Sequence, residues 1–400
     1  MGARFLSTLI EDEVRKNPHK KPNQIAADFA THYGINIEYY QAYNGRERVY
    51  KEIYGDDVMS YTHLVWYVDQ IRKTNEGSFI DFQYDPVSRR FERIFIAFGA
   101  CIQGYKFLRP LIYLDGTFLT GRFRRCLMAA TAINGEKGFF PLAMALVPGE
   151  DVDNWDWFLR NSYKIVDHEE RPITFLTDRG EGLKQGIPSI FPGSFHSFSY
   201  YHLKTNLPIN GTDLRYSLVL DHFQEATYVY TPENHTKAIQ KIRDLGCDWV
   251  ADYIEAILAD KYANAFFKGC RYGRTASSLA ESFNAWITVH KKIPASAFLD
   301  QVRMKIMVMM FDNREVGALM KTPLTTLYEE KLQSLSDEGL AWPVYRASTT
   351  IYEVLSDESS HTVNLENRTC TCQRWRVYGF PCSHALAAMR KGRCDVHEYI

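Results

Sequence analysis

The stretch that decides the fold is LIYLDGTF, residues 111–118. Four apolar residues rich in β-formers run into Asp115 and then into Gly116-Thr117. ITFLTD, residues 173–178, repeats the device, with Asp178 followed by Arg179-Gly180. Between them lie CLMAATAI (126–133) and FFPLAMALV (139–147), short β-rich runs separated by the turn residues Thr120-Gly121 and Asn134-Gly135. A helix is expected from Asn154, read as its N-cap, through WDWFLRNSYKIV. One more strand is expected near residue 196. Three strands joined by hairpins, a helix, then strands alternating with helices predict an α/β fold: a mixed sheet with helices packed on it.

A carboxylate closing a buried strand costs several kcal/mol unless it is paired or holds a metal. If the strands of Asp115 and Asp178 are neighbours, the two acids form an oxygen-rich site for a hard cation such as Mg²⁺. Glu281, in SSLAESFNAW (277–286), is the candidate third acid, in the first turns of a helix. Ala280, Phe283 and Ala285-Trp286 of that helix are expected to pack inward. Each acid alone also fits an ordinary role, an Asp as a cap or turn residue and a Glu beside a helix start, where the dipole favours it.

The flanks differ in pattern. From Pro22 to Gly77 apolar residues recur at helical spacing (Ile25, Ala26, Phe29, Tyr33, then Leu64, Val65, Val68, Ile71), with Gly34 as a stop. A small helical bundle is preferred to a DNA-reading helix-turn-helix, because no strongly basic second helix follows. Residues 232–267 are helical again and interrupt the α/β pattern like an insertion. A long amphipathic helix is expected from Ser296 to Phe311, and strand-like text resumes near Trp342.

The 400 residues suit two or three domains. A 46% hydrophobic and 24% charged composition excludes a disordered or low-complexity chain. With 47 basic and 48 acidic residues, any nucleic-acid contact must come from local patches. No apolar run is long enough for a membrane span, and no signal peptide is read at the start. The eight cysteines are unevenly placed, which argues against a disulfide framework and for a reducing compartment.

Four of those cysteines fall between residues 370 and 394. Cys370, Cys372, Cys382 and His384 match the ligand count of a closed structural zinc site, and Cys394 is a spare thiol. Reduced core thiols or a disulfide are the alternatives, but neither accounts for the histidine. Residues 367–400 carry six basic and two acidic side chains, which suits a polyanion or a solvated surface equally.

These segments resemble the Mutator-like (MULE) transposases and their domesticated plant relatives, the far-red-impaired-response type of transcription regulator. The matching text is LIYLDGTFLTG, FPLAMALVPGEDVDNWDWFL, ITFLTDRGEGL, YYHLKTNL and SSLAESFNAWI, in that order. The resemblance runs from about Pro22 to Ala387. It implies a ribonuclease-H-like domain over 79–315 with a helical insertion at about 212–275, preceded by a helical region (1–78). A linker and a SWIM-type zinc finger follow over 316–400, with the finger at about 350–390.

The acids of the family's DDE triad fall on Asp115, Asp178 and Glu281. They imply up to two catalytic Mg²⁺ or Mn²⁺ ions, beside one structural Zn²⁺ on Cys370, Cys372, Cys382 and His384. The implied activity is phosphodiester cleavage and strand transfer at DNA element ends, in the nucleus. The partners would be element-end and target DNA, with self-association and a protein partner at the zinc module as further expectations. Arg179, Arg122, Arg124 and Arg125 are candidate phosphate contacts.

Two departures from the family are expected to matter. Ser199 stands where the family has the Cys of a Cys-x-x-His pair, with His202 retained. The chain also starts after the point where an N-terminal DNA-binding module would end. Two other readings are a domesticated DNA- or protein-binding regulator and a fragment of a decaying element.

Overall fold

The structure is a computed structural model that describes residues 3–17, 20–55, 57–88, 90–121, 124–166, 171–356 and 359–400. Helices α1 (Ala3–Lys16), α2 (Pro22–Tyr33) and α3 (Tyr39–Tyr54) share a small core of Leu6, Ile10, Val14, Ile25, Phe29, Ala42 and Val49. Gly34 ends α2 at φ +66°, a left-handed conformation that glycine adopts without strain. Helix α4 (Asp57–Thr74) leaves this bundle and sends Leu64, Val68 and Ile71 into the main core.

The central sheet is built from β1 (Phe79–Tyr84), β2 (Phe91–Ala97), β3 (Leu111–Phe118), β4 (Cys126–Ile133), β5 (Phe139–Val147), β6 (Thr174–Thr177) and β7 (Phe195–Phe198). Among the described residues its order is β1-β2-β5-β4-β3-β6-β7. Only β3-β6 and β6-β7 are parallel. Every residue of β4 is buried, as an inner strand covered on both faces requires. The connections carry α5 (Gly99–Tyr105), α6 (Val152–Tyr163) and α7 (Glu181–Ile190), and α6 packs on α7 beside the main core. The cap of α6 is Asp151, whose carboxylate accepts from the Asn154 N–H at 2.8 Å. Asn154, expected as the cap, is a first-turn residue whose side chain donates to Asp151 and to the Gly149 carbonyl.

After β7 the chain forms α8 (Tyr200–Thr205), α9 (Tyr216–Tyr228), α10 (Pro232–Asp244) and α11 (Asp248–Glu255), which enclose their own core around Val219, Phe223, Ile242 and Ile254. Arg271 ties this unit to the sheet. Its side chain is 2% exposed and donates to the Tyr262 carbonyl at 2.5 Å, to Ser197 Oγ at 3.1 Å and to the Asn264 side chain.

Helix α12 (Ser278–Ile287) returns to the central sheet, and α13 (Ala295–Ala318) lies against α4. In α12, Leu279, Ala280, Phe283 and Ile287 are buried and Trp286 packs edge-on to Phe139. Ala285 faces solvent, contrary to expectation, because a 3.6-residue period that buries 280, 283 and 287 turns 285 outward.

The C-terminal unit begins with α14 (Thr326–Glu338). It continues as a sheet of order β11-β10-β9-β8, made of β8 (Val344–Arg346), β9 (Ile351–Leu355), β10 (Ser360–Asn364) and β11 (Thr369–Cys370). Helices α15 (Arg374–Tyr378) and α16 (Ser383–Gly392) complete it.

Candidate functional site

Two clusters stand out, an acidic pocket on the central sheet and a cysteine-histidine cluster in the C-terminal unit. Side chains on β3 alternate between faces. Leu111 and Tyr113 join Leu279 and Ala280 of α12 in one core, whereas Ile112 and Leu114 join the main core. Asp115 keeps the parity of 111 and 113 and so faces α12. The parallel register pairs Leu111 with Thr174 and Tyr113 with Leu176. Two residues further, Asp178 comes level with Asp115 at the carboxyl ends of adjacent parallel strands, where open α/β sheets bind ligands.

The Asp115 carboxylate is pushed up to about 7, first by burial, then by the charges of Asp178 and Glu150. Two hydrogen bonds oppose this, from the Gly116 N–H at 3.0 Å and from Asn284 Nδ2 at 2.7 Å. Asp178 Oδ1 accepts from the Gly180 N–H at 2.9 Å. Glu150, absent from the sequence reading, also belongs to this pocket. Its own carboxyl is raised by burial and then by Asp178. The available signal was its place in PGED, at the junction of β5 and α6.

Glu281 lies in the first turn of α12 and is exposed, while Asn284, one turn on, is the α12 side chain bonded to Asp115. Lys291, half-buried beside the pocket, donates to Thr117 Oγ1 at 2.6 Å. Ser199 and His202 meet at the start of α12. Ser199 Oγ accepts from the Ser277 N–H at 3.1 Å, and Ser277 Oγ lies 3.4 Å from His202 Nδ1.

Of the candidate phosphate contacts, Arg179 donates to the Tyr253 hydroxyl at 3.0 Å on α11. Arg125 donates to the carbonyls of Glu92 and Phe91 at 2.6 and 3.1 Å, so its guanidinium is spent on the protein. Arg124 is exposed, and Arg122 lies outside the described residues.

The second cluster is tighter. Cys370, Cys372, Cys382 and His384 each offer a ligand atom, all within 4.8 Å of one another, and no other such group occurs among the described residues. The β11 strand delivers Cys370, the turn before α15 Cys372, and the start of α16 Cys382 and His384. The Cys372 and Cys382 sulfurs are 3.5 Å apart. Hydrogen bonds from the Cys370 and Cys382 thiols hold Cys372 far below the ordinary thiol value. The His384 ring packs against Trp342 at 4.8 Å, and its buried Nδ1 has no hydrogen-bond partner. Three sulfurs and an orphaned imidazole nitrogen at this spacing fit a tetrahedral Zn²⁺ site.

Comparison with known proteins matches residues 111–206 to the MULE transposase domain and residues 361–392 to the SWIM zinc finger. Over those two spans the chain is similar to the MULE transposase domain and to the SWIM zinc finger. Both Asp115 and Asp178 lie within the MULE match, as do Ser199 and His202, whereas Glu281 and Asn284 lie beyond its end. All four cluster ligands lie within the SWIM match, so cluster geometry and family both point to zinc.

The chain is similar to Protein FAR1-RELATED SEQUENCE 6 of Arabidopsis thaliana, 24% identical over 205 residues, 49% of this chain and 29% of that protein. It is also similar to Protein FAR1-RELATED SEQUENCE 5 of the same plant, 20% identical over 373 residues, 82% of this chain and 46% of that protein. The matches thus span less than half the length of these relatives. No helix among the described residues is long and apolar enough to cross a membrane.

Proposed function

We propose that the MULE domain is a divalent-metal-dependent DNA transposase centre that cleaves a phosphodiester and transfers the strand, acting in the nucleus. The observation that carries this reading is the pair Asp115 and Asp178, level with each other on adjacent parallel strands inside the MULE match. The antiparallel meander β5-β4-β3, continued by parallel β6 and β7, supports a ribonuclease-H-like core. The acid chemistry fits Mg²⁺ or Mn²⁺, because the half-buried Asp115 carboxylate, crowded by the charge of Asp178, gains by sharing a hard cation with it. When bound, such ions activate an attacking oxygen and stabilise a leaving one.

In this reading Asp115 and Asp178 hold the metal and Glu281 contributes from α12. Asn284 fixes the Asp115 carboxylate through its amide. Arg124 offers an exposed cation to a DNA phosphate, and the SWIM finger, held by zinc, supplies a second contact to DNA or to a protein.

A second reading, a domesticated regulator that binds DNA without cutting it, is favoured by one observation: α12 presents Asn284 to Asp115 and leaves Glu281 exposed. Incubation of the zinc-loaded chain with supercoiled plasmid and Mn²⁺ separates the two. Nicking by wild type that disappears in Asp115→Asn and Asp178→Asn is the expected result. DNA binding without nicking by wild type would sink the transposase reading and leave the regulator.

A further inference from the structure

We propose that Trp342 is a positioning residue of the zinc site, whose indole, together with the His361 ring, sets the plane of the His384 imidazole. The inference rests on the reading of Cys370, Cys372, Cys382 and His384 as zinc ligands. A metal-bound histidine is usually aimed by a hydrogen bond from its other ring nitrogen to a carboxylate or a carbonyl. His384 has none of this kind. Its Nδ1 is buried without a partner, and among the described residues no carboxylate or carbonyl bonds the ring. Another device must fix the ring, because rotation about the side-chain torsions would carry its ligating nitrogen away from the three sulfurs.

Aromatic packing supplies that device. The Trp342 indole lies nearly parallel to the His384 ring, with centroids 4.8 Å apart and planes at 20°. The His361 ring touches it as well, at 4.1 Å and 46°. Such pairs resist rotation because the ring quadrupoles favour some mutual orientations over others. His361 is a packing partner here and not a fifth ligand. Its Nδ1 lies 3.1 Å from Thr371 Oγ1 and its Nε2 2.9 Å from Ser359 Oγ, so both nitrogens are occupied.

Trp342 can aim His384 only if its own segment is held against α16, and three contacts hold it. The segment, residues 338–342, runs from the end of α14 toward β8, outside the span that matches the SWIM finger. Glu338 Oε2 accepts at 2.5 Å from the hydroxyl of Ser383, the residue between the ligands Cys382 and His384. Arg390 of α16 donates to the Gly339 and Leu340 carbonyls at 2.8 and 2.9 Å. Gly339 comes so close to the helix start that a Cβ there would stand 2.8 Å from the Ser383 carbonyl oxygen. A side chain at 339 would therefore push the segment off α16. The turn that delivers two of the four ligands is thus clamped by residues well upstream of Cys370.

The test loads the full chain with Co²⁺ in place of zinc. The visible cobalt bands report ligand geometry, and thiolate-to-cobalt charge transfer marks the ions bound at these cysteines. Zinc affinity is read beside them by competition with a chromogenic chelator. Trp342→Leu keeps an apolar side chain but no ring, and is expected to weaken zinc binding at least about ten-fold and to shift the cobalt bands. Trp342→Phe retains a ring to stack, and is expected to recover the wild-type bands and most of the affinity. Wild-type affinity in Trp342→Leu would overturn the proposal. So would weaker binding with unchanged cobalt bands, because the indole would then support the fold of the unit without aiming the ring. If Trp342→Leu does not fold, His361→Ala, at a partly exposed position, decides: shifted bands are expected, and wild-type bands would overturn the proposal. Absence of the charge-transfer band in folded wild type would remove the zinc reading itself.

Discussion

Buried on β7, next to the strand that leads to Asp178, the His196 ring is kept neutral by its surroundings. Its Nε2 lies 2.8 Å from Thr177 Oγ1, and burial, then the charge of Lys261, pushes its pKa down to about 3. The unfolded chain protonates this imidazole near 6.5 and the folded chain does not. The unfolded state therefore binds more protons between those values, and stability rises with pH across that window. His196 should thus contribute stability fully present above pH 6.5 and lost progressively toward pH 3, about 5 kcal/mol at the acid end. Urea unfolding at a series of pH values checks this: His196→Asn should flatten the acid limb, and an unchanged slope would show that the ring is solvated. At this scale Asp115, Asp178 and the Cys/His cluster stand out in the sequence because each breaks a local pattern, a charge ending an apolar run or thiols set beside a histidine. Glu150 and Asn284 were not, because each resembles an ordinary helix-start or helix-surface residue until the sheet brings it to Asp115.

At the scale of elements, α12 is the piece whose placement matters most, since it presents Asn284 and Glu281. Its start is moored by Ser277, whose N–H donates to Ser199 Oγ and whose hydroxyl meets both Ser199 and His202. The serine at 199 thus performs a hydrogen-bonding role that the sequence reading did not assign to it. Ser277→Ala keeps the backbone bond but removes the hydroxyl from a buried site, leaving Ser199 and His202 short of a partner. A loss of about 1–2 kcal/mol in denaturant unfolding is expected, and no change would mean that the mooring is carried by packing alone. The helix itself was legible from its apolar spacing, while Ala285 turned outward because buried positions on one helix face fix the exposure of the others. Likewise, the α6 cap moved from Asn154 to Asp151 because both residues can cap, and only the backbone path after β5 decides which carboxyl or amide meets the first free N–H.

Across the whole molecule, the C-terminal unit and the segment that follows α11 are joined. Arg376 of α15 donates to the Asn264 carbonyl at 2.9 Å and to the Phe267 carbonyl, and the Tyr378 hydroxyl lies 3.2 Å from that of Tyr230. Gly273, at φ +73°, leaves room for the Tyr378 ring, which a Cβ would approach to 2.6 Å. Zinc binding is therefore expected to stabilise more than the finger. Removing the metal with a chelator, or replacing Cys382 with Ser, should unfold the C-terminal unit, since the energy of binding is energy of folding there. Amide exchange over residues 264–273 should rise with it. Zinc loss that leaves exchange in that segment unchanged would show that the two units are energetically separate. Purified wild type without zinc would refute the metal site.

The sequence by itself determined the α/β class, the presence of strands at β3, β4, β5 and β6 and the grouping of Cys370, Cys372, Cys382 and His384. These depend on local periodicity and on residues close together in the chain. Only the tertiary structure decided that β3 and β6 are neighbours, that Asn284 bonds Asp115, that Arg125 and Arg179 are bonded within the protein, and that α15 rests on the segment after α11. Each of these joins groups far apart in sequence. Their meeting depends on strand register and helix packing, which local propensity does not encode.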